Sequence, residues 1–212
     1  MAFYSRHIFP HLLARASRHF DQERRDLLSR ARGRVLELGV GGGASLGFYP
    51  PQVSDVVGID ISPVLLERAA SEAERFGNGR AAGLPYRLHL HLGDAQALPY
   101  DDASFDTVVA FLTLCTVPDP RLTAQESFRV LRPGGILLVL EHVRAAPGRK
   151  LARWQDRLDP LWTRLAGGCH LNRDTPANLA AAGFDTSSLE RYHDQTYFPP
   201  ASPRLRGATR KE

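Results

Sequence analysis

The chain has 212 residues, 43% of them hydrophobic and 24% charged, enough length and apolar content for one substantial core. No apolar run approaches the roughly 18 residues that a membrane-spanning helix requires, and the segment before Pro10 lacks the apolar stretch and small-residue cleavage site of a secretory leader. Cys115 and Cys169 are the only cysteines, too few for a disulfide framework and without metal-ligand spacing, so a cytoplasmic protein in a reducing compartment is expected.

The formal net charge of +4 is unevenly spread. Residues 1–34 hold eight arginines against three acids, residues 199–212 hold four basic groups against one acid, and the stretch between them is net acidic. A nucleic-acid enzyme would carry its basic surface around the reaction site, so no nucleic-acid partner is expected. Basic flanks suit solubility or peripheral contact with an anionic membrane surface.

In chain order, Leu12, Leu13, Ala16, Phe20, Leu27 and Leu28 recur at helical spacing, mostly opposite Arg15, Arg18, Arg24 and Arg25. That predicts an amphipathic helix over about 11–31, ended at Gly33. Short apolar runs follow at Val35–Leu38, Val56–Ile59, Tyr86–Leu92, Thr107–Phe111 and Ile136–Leu140, with helical stretches at 62–76 and 121–131 between some of them. Strands alternating with helices predict an α/β fold whose parallel sheet is covered on both faces. Ser62-Pro63 and Thr175-Pro176 read as helix starts, with Gly183 stopping the second. Arg149 to Leu165 reads as a helix interrupted near Asp159-Pro160, and Gly167 to His170 as a loop. Phe184 to Tyr192 fits a strand, whereas the proline-rich, polar stretch from Phe198 onward makes a poor final one.

Directly after the first buried strand comes Glu37-Leu38-Gly39-Val40-Gly41-Gly42-Gly43. Glycines there permit positive φ and close backbone approach to a ligand. Gly39, Gly41 and Ala44 also fit the G-x-G-x-x-G/A pattern of dinucleotide sites, and a tight turn alone would use glycines too. The acids discriminate. Glu37, at the carboxyl end of its strand, would repel a pyrophosphate and attract an ammonium or sulfonium. Asp60 closes the second strand, where a carboxylate can accept from both ribose hydroxyls. Asp94, in Gly93-Asp94-Ala95, closes the third, within reach of an adenine amine.

These segments, with Gly58-Ile59-Asp60, Ser104-Phe105-Asp106-Thr107-Val108-Val109 and Val130-Leu131-Arg132-Pro133-Gly134-Gly135, resemble the class I S-adenosylmethionine-dependent methyltransferases. More narrowly, Leu114-Cys115-Thr116-Val117, Glu141-His142-Val143, Trp154-Gln155, Asp159-Pro160-Leu161-Trp162 and Gly168-Cys169-His170-Leu171-Asn172-Arg173 are similar to the thiol S-methyltransferase family of methyltransferase-like proteins and its bacterial relatives. The resemblance implies a Rossmann-like, mostly parallel seven-stranded sheet with helices on both faces. It implies S-adenosyl-L-methionine as cofactor, held by Glu37, Gly39, Gly41, Gly43, Asp60, Ile61, Asp94 and Ala95. It also implies a lid segment at 1–32 before a methyltransferase domain at 33–212. Animal members carry a hydrophobic anchor before the domain; here an arginine-rich helix stands there, suited to peripheral contact only. The seventh strand should lie near Gly207 to Lys211, and its polar character argues against a complete sheet edge.

Methyl transfer from a sulfonium needs alignment and exclusion of water more than a dedicated base. His142, at the carboxyl end of the fifth strand, is the catalytic candidate; a structural histidine beside Glu141 would look the same. Cys115 reads as packing or as pocket lining, and Asp106 as structural. His170, Asn172 and Arg173 are candidates to orient an acceptor, though Arg173 could equally pair with a surface carboxylate such as Asp174 and His170 could cap a helix. Tyr4 and His7 are candidates for the lid, or part of a frayed terminus. His89 and His91 share a strand face without a third ligand, so no metal site is expected.

The favoured acceptor is a small-molecule thiol, with a quinone precursor, a phenol or a phospholipid amine as the alternative. Leu112-Thr113-Leu114-Cys115 stands where amino-directed nucleic-acid methyltransferases place Asn/Asp-Pro-Pro-aromatic, and the acid pattern speaks against a dehydrogenase. A domain that binds the donor without turnover would be expected to have lost Glu37, Asp60 or the glycines; all are present.

Overall fold

The computed structural model describes residues 18–78 and 84–212. Seven strands, β1 (Gly33–Leu38), β2 (Val53–Asp60), β3 (Arg87–Leu92), β4 (Phe105–Phe111), β5 (Leu131–His142), β6 (Glu190–His193) and β7 (Pro203–Arg210), form one sheet in the order β3-β2-β1-β4-β5-β7-β6. The pairs from β3 to β5 are parallel, and β7 runs antiparallel to both β5 and β6. Strand order reverses between β1 and β4, which leaves a crevice at the carboxyl ends of those two strands.

The inner strands read as continuous apolar runs because both faces are covered. Val35, Val56, Val109 and Leu138 face one layer, with Phe20, Leu27 and Leu28 from around helix α1 (Asp21–Leu28) and Ala69 and Ala73 from α2 (Pro63–Asn78). Leu36, Leu38, Val108 and Leu137 face the other, with Ala124 and Val130 of α3 (Pro120–Val130) and Leu179 of α5 (Thr175–Ala181). Helix α4 (Lys150–Leu165) follows β5. Asp119 caps α3, accepting from the backbone N–H of Arg121 at 2.8 Å, with Pro120 in the first turn.

Four expectations are revised. Residues 21–28 carry the described part of the first helix, after a 3-10 turn at Arg18–Phe20, and residues 11–17 lie outside the described residues. Helix α4 runs unbroken through Pro160; the missing N–H would have served Asp156 on the exposed side, where water can replace it. Helix α5 is capped by Asp174, whose side chain accepts from Ala177 N–H, and Thr175 is its first residue. The stretch from Phe184 to Tyr192 is strand only from Glu190.

The last strand departs furthest. It spans Pro203–Arg210 and lies inside the sheet, between β5 and β6, so the polar sequence forms no frayed edge. Its charges are consumed internally. Arg204 is 0% exposed, with its guanidinium over the rings of Phe20 (4.2 Å) and Tyr197 (4.8 Å) and beside the carboxylates of Asp194 (3.1 Å) and Glu23 (3.6 Å). Arg206 pairs with Glu190, and the Lys211 ammonium donates to the carbonyls of Phe128 and Leu131. Three of the four carboxyl-terminal basic groups thus have partners within the fold. Among the described residues, no helix is long and apolar enough to cross a membrane.

Candidate functional site

The loop leaving β1 is built by backbone. Gly39, Gly41 and Gly43 all have positive φ, +61°, +56° and +82°. A Cβ at Gly39 would meet Thr113 Oγ1 at 2.9 Å and one at Gly43 would meet Leu46 and Ala69, whereas one at Gly41 would find nothing nearer than 3.8 Å. Two of the glycines let the loop pack, and the third leaves open the space a ligand would fill. Turns, not a helix, follow at 44–47. No helix begins directly after this loop, unlike the loop-to-helix turns that cradle phosphates.

Glu37 is buried beneath the loop and accepts a 2.8 Å hydrogen bond from the Tyr49 hydroxyl. Burial pushes its carboxyl above the usual range, against the pull of hydrogen bonds from Ser45 and Tyr49 and the field of Arg24. The same burial, with the neighbouring carboxylate, holds the Tyr49 hydroxyl far above its ordinary value, so Tyr49 is a neutral donor. Asp60 fastens the loop from the other side: one carboxylate oxygen accepts from Gly41 N–H at 2.9 Å, the other from Ser62 N–H at 2.8 Å. Each oxygen keeps a lone pair for a further donor. Beside it Ile61 is 72% exposed and Leu92, at the end of β3, is 64% exposed, two apolar surfaces flanking the acids. Asp94 is exposed and accepts from Gln96 backbone and side chain, while Ala95 is buried beneath it. An adenosine with a cationic tail fits this row: an apolar slot for the base, oxygens for the ribose, and a carboxylate at the tail.

The next connection is built by side chains. At the end of β4, Leu112 adopts φ +58°, an uncommon conformation for a branched residue, and turns the chain sharply. The amides that follow, Thr113, Leu114 and Cys115, all donate to the buried carboxylate of Glu141 at 2.8–3.0 Å, and the Thr113 hydroxyl donates to Leu38 carbonyl at 2.7 Å. The carboxyl ends of β1, β4 and β5 are thus tied into one rigid shelf. Burial raises the Glu141 carboxyl well above its usual range.

His142 continues that shelf. It is buried, its ring stacks on Tyr197 with centroids 6.1 Å apart, and Phe20 lies against it edge-on. Its Nδ1 is 3.4 Å from the Cys169 sulfur, which in turn is 3.6 Å from that of Cys115; both cysteines are free. His142 Nε2 is buried and has no hydrogen-bond partner among the described residues. Contact with Cys169 and burial hold the Cys115 thiol well above the ordinary thiol range. The sequence reading named no metal ligands, and the fold corrects its ground: Cys115, His142 and Cys169 offer ligand atoms within 4.8 Å of one another. No spacing rule finds them, because they lie 27 residues apart in succession, after β4, at the end of β5 and after α4.

The remaining acceptor candidates are engaged elsewhere. His170 Nδ1 pairs with Asp159 at 2.7 Å and its N–H donates to the Cys115 carbonyl, so it pins the Cys169 loop against β4. Asn172 donates to Asp156, and Arg173 donates to the carbonyls of Val117 and Pro118, neither of the roles the sequence suggested for Arg173. These three line a shallow depression with Asp119 and Asn178. Tyr4 and His7 lie outside the described residues. Sequence reasoning missed Tyr49, Thr113, Tyr197 and Arg204 as site-forming residues; none carries a local signal, and each acts by contact across the fold. Asp106 is structural, accepting from Arg34 N–H and pairing with Arg132.

Residues 36–139 match the family model described as a methyltransferase domain. Over 94% of this chain, the sequence is 33% identical to the thiol S-methyltransferase TMT1B of Homo sapiens, covering 84% of that protein. It is 39% identical, over 59% of this chain and 62% of the relative, to a phosphatidylethanolamine N-methyltransferase of Cereibacter sphaeroides. Among solved structures, a SAM-dependent methyltransferase of Thermotoga maritima superposes with a TM-score of 0.62 at 20% identity, covering 98% of this chain and 99% of that one.

Proposed function

Since this chain belongs to the class I S-adenosylmethionine-dependent methyltransferases, among the relatives of the thiol S-methyltransferases, we propose that its acceptor is a small-molecule thiol. The donor supplies a methyl group already activated on a sulfonium sulfur. Glu37 offers its carboxylate to the cationic end of that molecule, Asp60 its free lone pairs to the ribose, and Asp94 an acceptor to the adenine amine, with Ile61 and Ala95 beside the base. Gly41 leaves the room for close approach. The amino-terminal segment, with α1 packed on the sheet, acts as the lid.

The observation that carries the reading is the shelf: Glu141, gripping three consecutive amides, holds the glycine loop and His142 in a fixed relation. A nucleophile beside His142 would meet a methyl carbon presented over the loop, and buried surroundings keep water out. A thiol needs little further help. Its thiolate is the nucleophile, and His142 serves by taking the proton or by lending positive charge. The amine acceptor is the second reading, supported by the phosphatidylethanolamine N-methyltransferase relative.

Labelled donor offered with panels of thiols, quinols, phenols and amino lipids tests both. Turnover confined to thiols supports the proposal, and turnover confined to amino lipids replaces it with the second reading. His142→Ala is expected to lower kcat/KM for the thiol about 100-fold while the donor Kd stays within about threefold. Unchanged kinetics would remove His142 from the reaction.

A further inference from the structure

We propose that Cys115, His142 and Cys169 form a binding site for one thiophilic metal ion, with zinc(II) as the reference occupant. A tetrahedral ion with Zn–S bonds near 2.3 Å and a Zn–N bond near 2.05 Å separates two sulfurs by about 3.8 Å and a sulfur from a nitrogen by about 3.6 Å. The observed separations are 3.6 Å between the sulfurs and 3.4 Å from the Cys169 sulfur to His142 Nδ1, with all three ligand atoms inside 4.8 Å. A shift of a few tenths of an ångström would turn the two measured contacts into edges of a coordination polyhedron, and the third edge, from the Cys115 sulfur to the imidazole, has to close from within 4.8 Å.

Three further observations favour an ion over simple packing. The imidazole is buried, yet among the described residues neither ring nitrogen is claimed by an oxygen acceptor: Nδ1 faces sulfur and Nε2 has no partner. Loading would release both thiol protons to solvent, and the two thiolates then balance one divalent cation, beside the ring of Phe20 and the buried Glu141. The ligands are also held from outside. His170 N–H bonds the Cys115 carbonyl, Cys115 N–H bonds Glu141, and His142 stacks on Tyr197, so the cost of ordering the ligands is already met by the fold.

Among the described residues, these three are the cluster able to ligate, which leaves a fourth tetrahedral position open. On the thiol reading, which this extension alone rests on, the acceptor sulfur would take that position. In that state the metal would replace His142 as the group that activates the thiol: the S–H bond would break, a metal–sulfur bond would form, and the proton would leave to solvent.

The test uses tag-free full-length protein, reduced with a phosphine, stripped with a chelator and freed of it. Zinc(II) is then titrated against a chromophoric indicator, and cobalt(II) is added in parallel as an optical probe. One equivalent is expected to bind with submicromolar Kd, and cobalt to give a thiolate charge-transfer band. Cys115→Ser and Cys169→Ser should each weaken binding about 100-fold or more and remove that band, with circular dichroism and a cooperative thermal transition reporting that both remain folded. Should either serine variant fail to fold, His142→Asn is read in its place, with the same expected loss of affinity.

Folded, reduced wild type that takes up under a tenth of an equivalent would overturn the proposal. So would serine variants that bind as well as wild type, or a pair that forms a Cys115–Cys169 disulfide on air exposure yet takes no metal when reduced. Because the titration needs neither donor nor acceptor, protein that takes up no zinc yet methylates thiols would sink this site and leave the acceptor reading standing. A metal-binding protein inactive toward thiols would do the reverse.

Discussion

The ends of β1, β2 and β3 and the ends of β4 and β5 sit side by side on one sheet and are built by different means. On the first side the backbone does the shaping: positive-φ glycines, amides bonded to Asp60, and half-exposed or exposed groups around an open slot. On the second side buried side chains do it: Glu141, Cys115, His142, Cys169 and, behind them, Arg204 among aromatic rings. A site for a common donor can be written in a short local motif. The part that selects an acceptor is assembled from contacts across the whole chain.

Removing Arg204 should break this contrast most severely. Arg204→Met would take the buried cation from Asp194 and Glu23, leaving them only His19 and Arg206 as partners, costing up to about 3 kcal/mol and lowering Tm by up to roughly 6–12 °C. Differential scanning calorimetry reads that loss, and calorimetric titration with S-adenosylhomocysteine below the transition should find the donor side intact.

The converse experiment strikes the donor side. Asp60→Ala removes both the loop clasp and the proposed ribose acceptor, and Gly41→Arg fills the open space, so each should weaken S-adenosylhomocysteine binding about 100-fold or more without unfolding the protein. Binding at wild-type strength by either variant would refute the assignment.

A smaller effect sharpens the role of Glu37. Burial raises its pKa, so as pH falls through that raised value the carboxylate gains a proton and its attraction for a cationic tail disappears. Donor affinity should therefore fall with decreasing pH in wild type. Glu37→Gln, about tenfold weaker near neutrality, should show a flatter profile. Parallel profiles for the two proteins would assign the pH dependence to another group.

How much of this was readable beforehand follows the same division. The five parallel strands, the glycine loop and the acids at the ends of β1, β2 and β3 were legible, because hydrophobic runs and glycine requirements are local. Asp60 was legible as an acid but not as the clasp on Gly41, since that bond depends on the loop folding back. Pro160 misled, because a proline on an exposed helix face loses only a bond that water can restore. The polar character of β7 misled for a deeper reason. Arg204, Arg206 and Lys211 each find a partner only once distant elements arrive, and no pattern within residues 199–212 announces Phe20, Glu190 or Phe128 as those partners.

The interior placement of β7 sets an order of events during synthesis. Residues 131–142 emerge from the ribosome some sixty residues before the strand that pairs with them, and until then β5 presents Leu137 to Leu140 along an unpaired edge. Such an edge is a template for pairing with another chain. A nascent polypeptide stalled before residue 203 should therefore aggregate or recruit a chaperone, and insertion of β7 should be a late, slow step of refolding, since its pairing with β5 spans 62–74 residues of sequence.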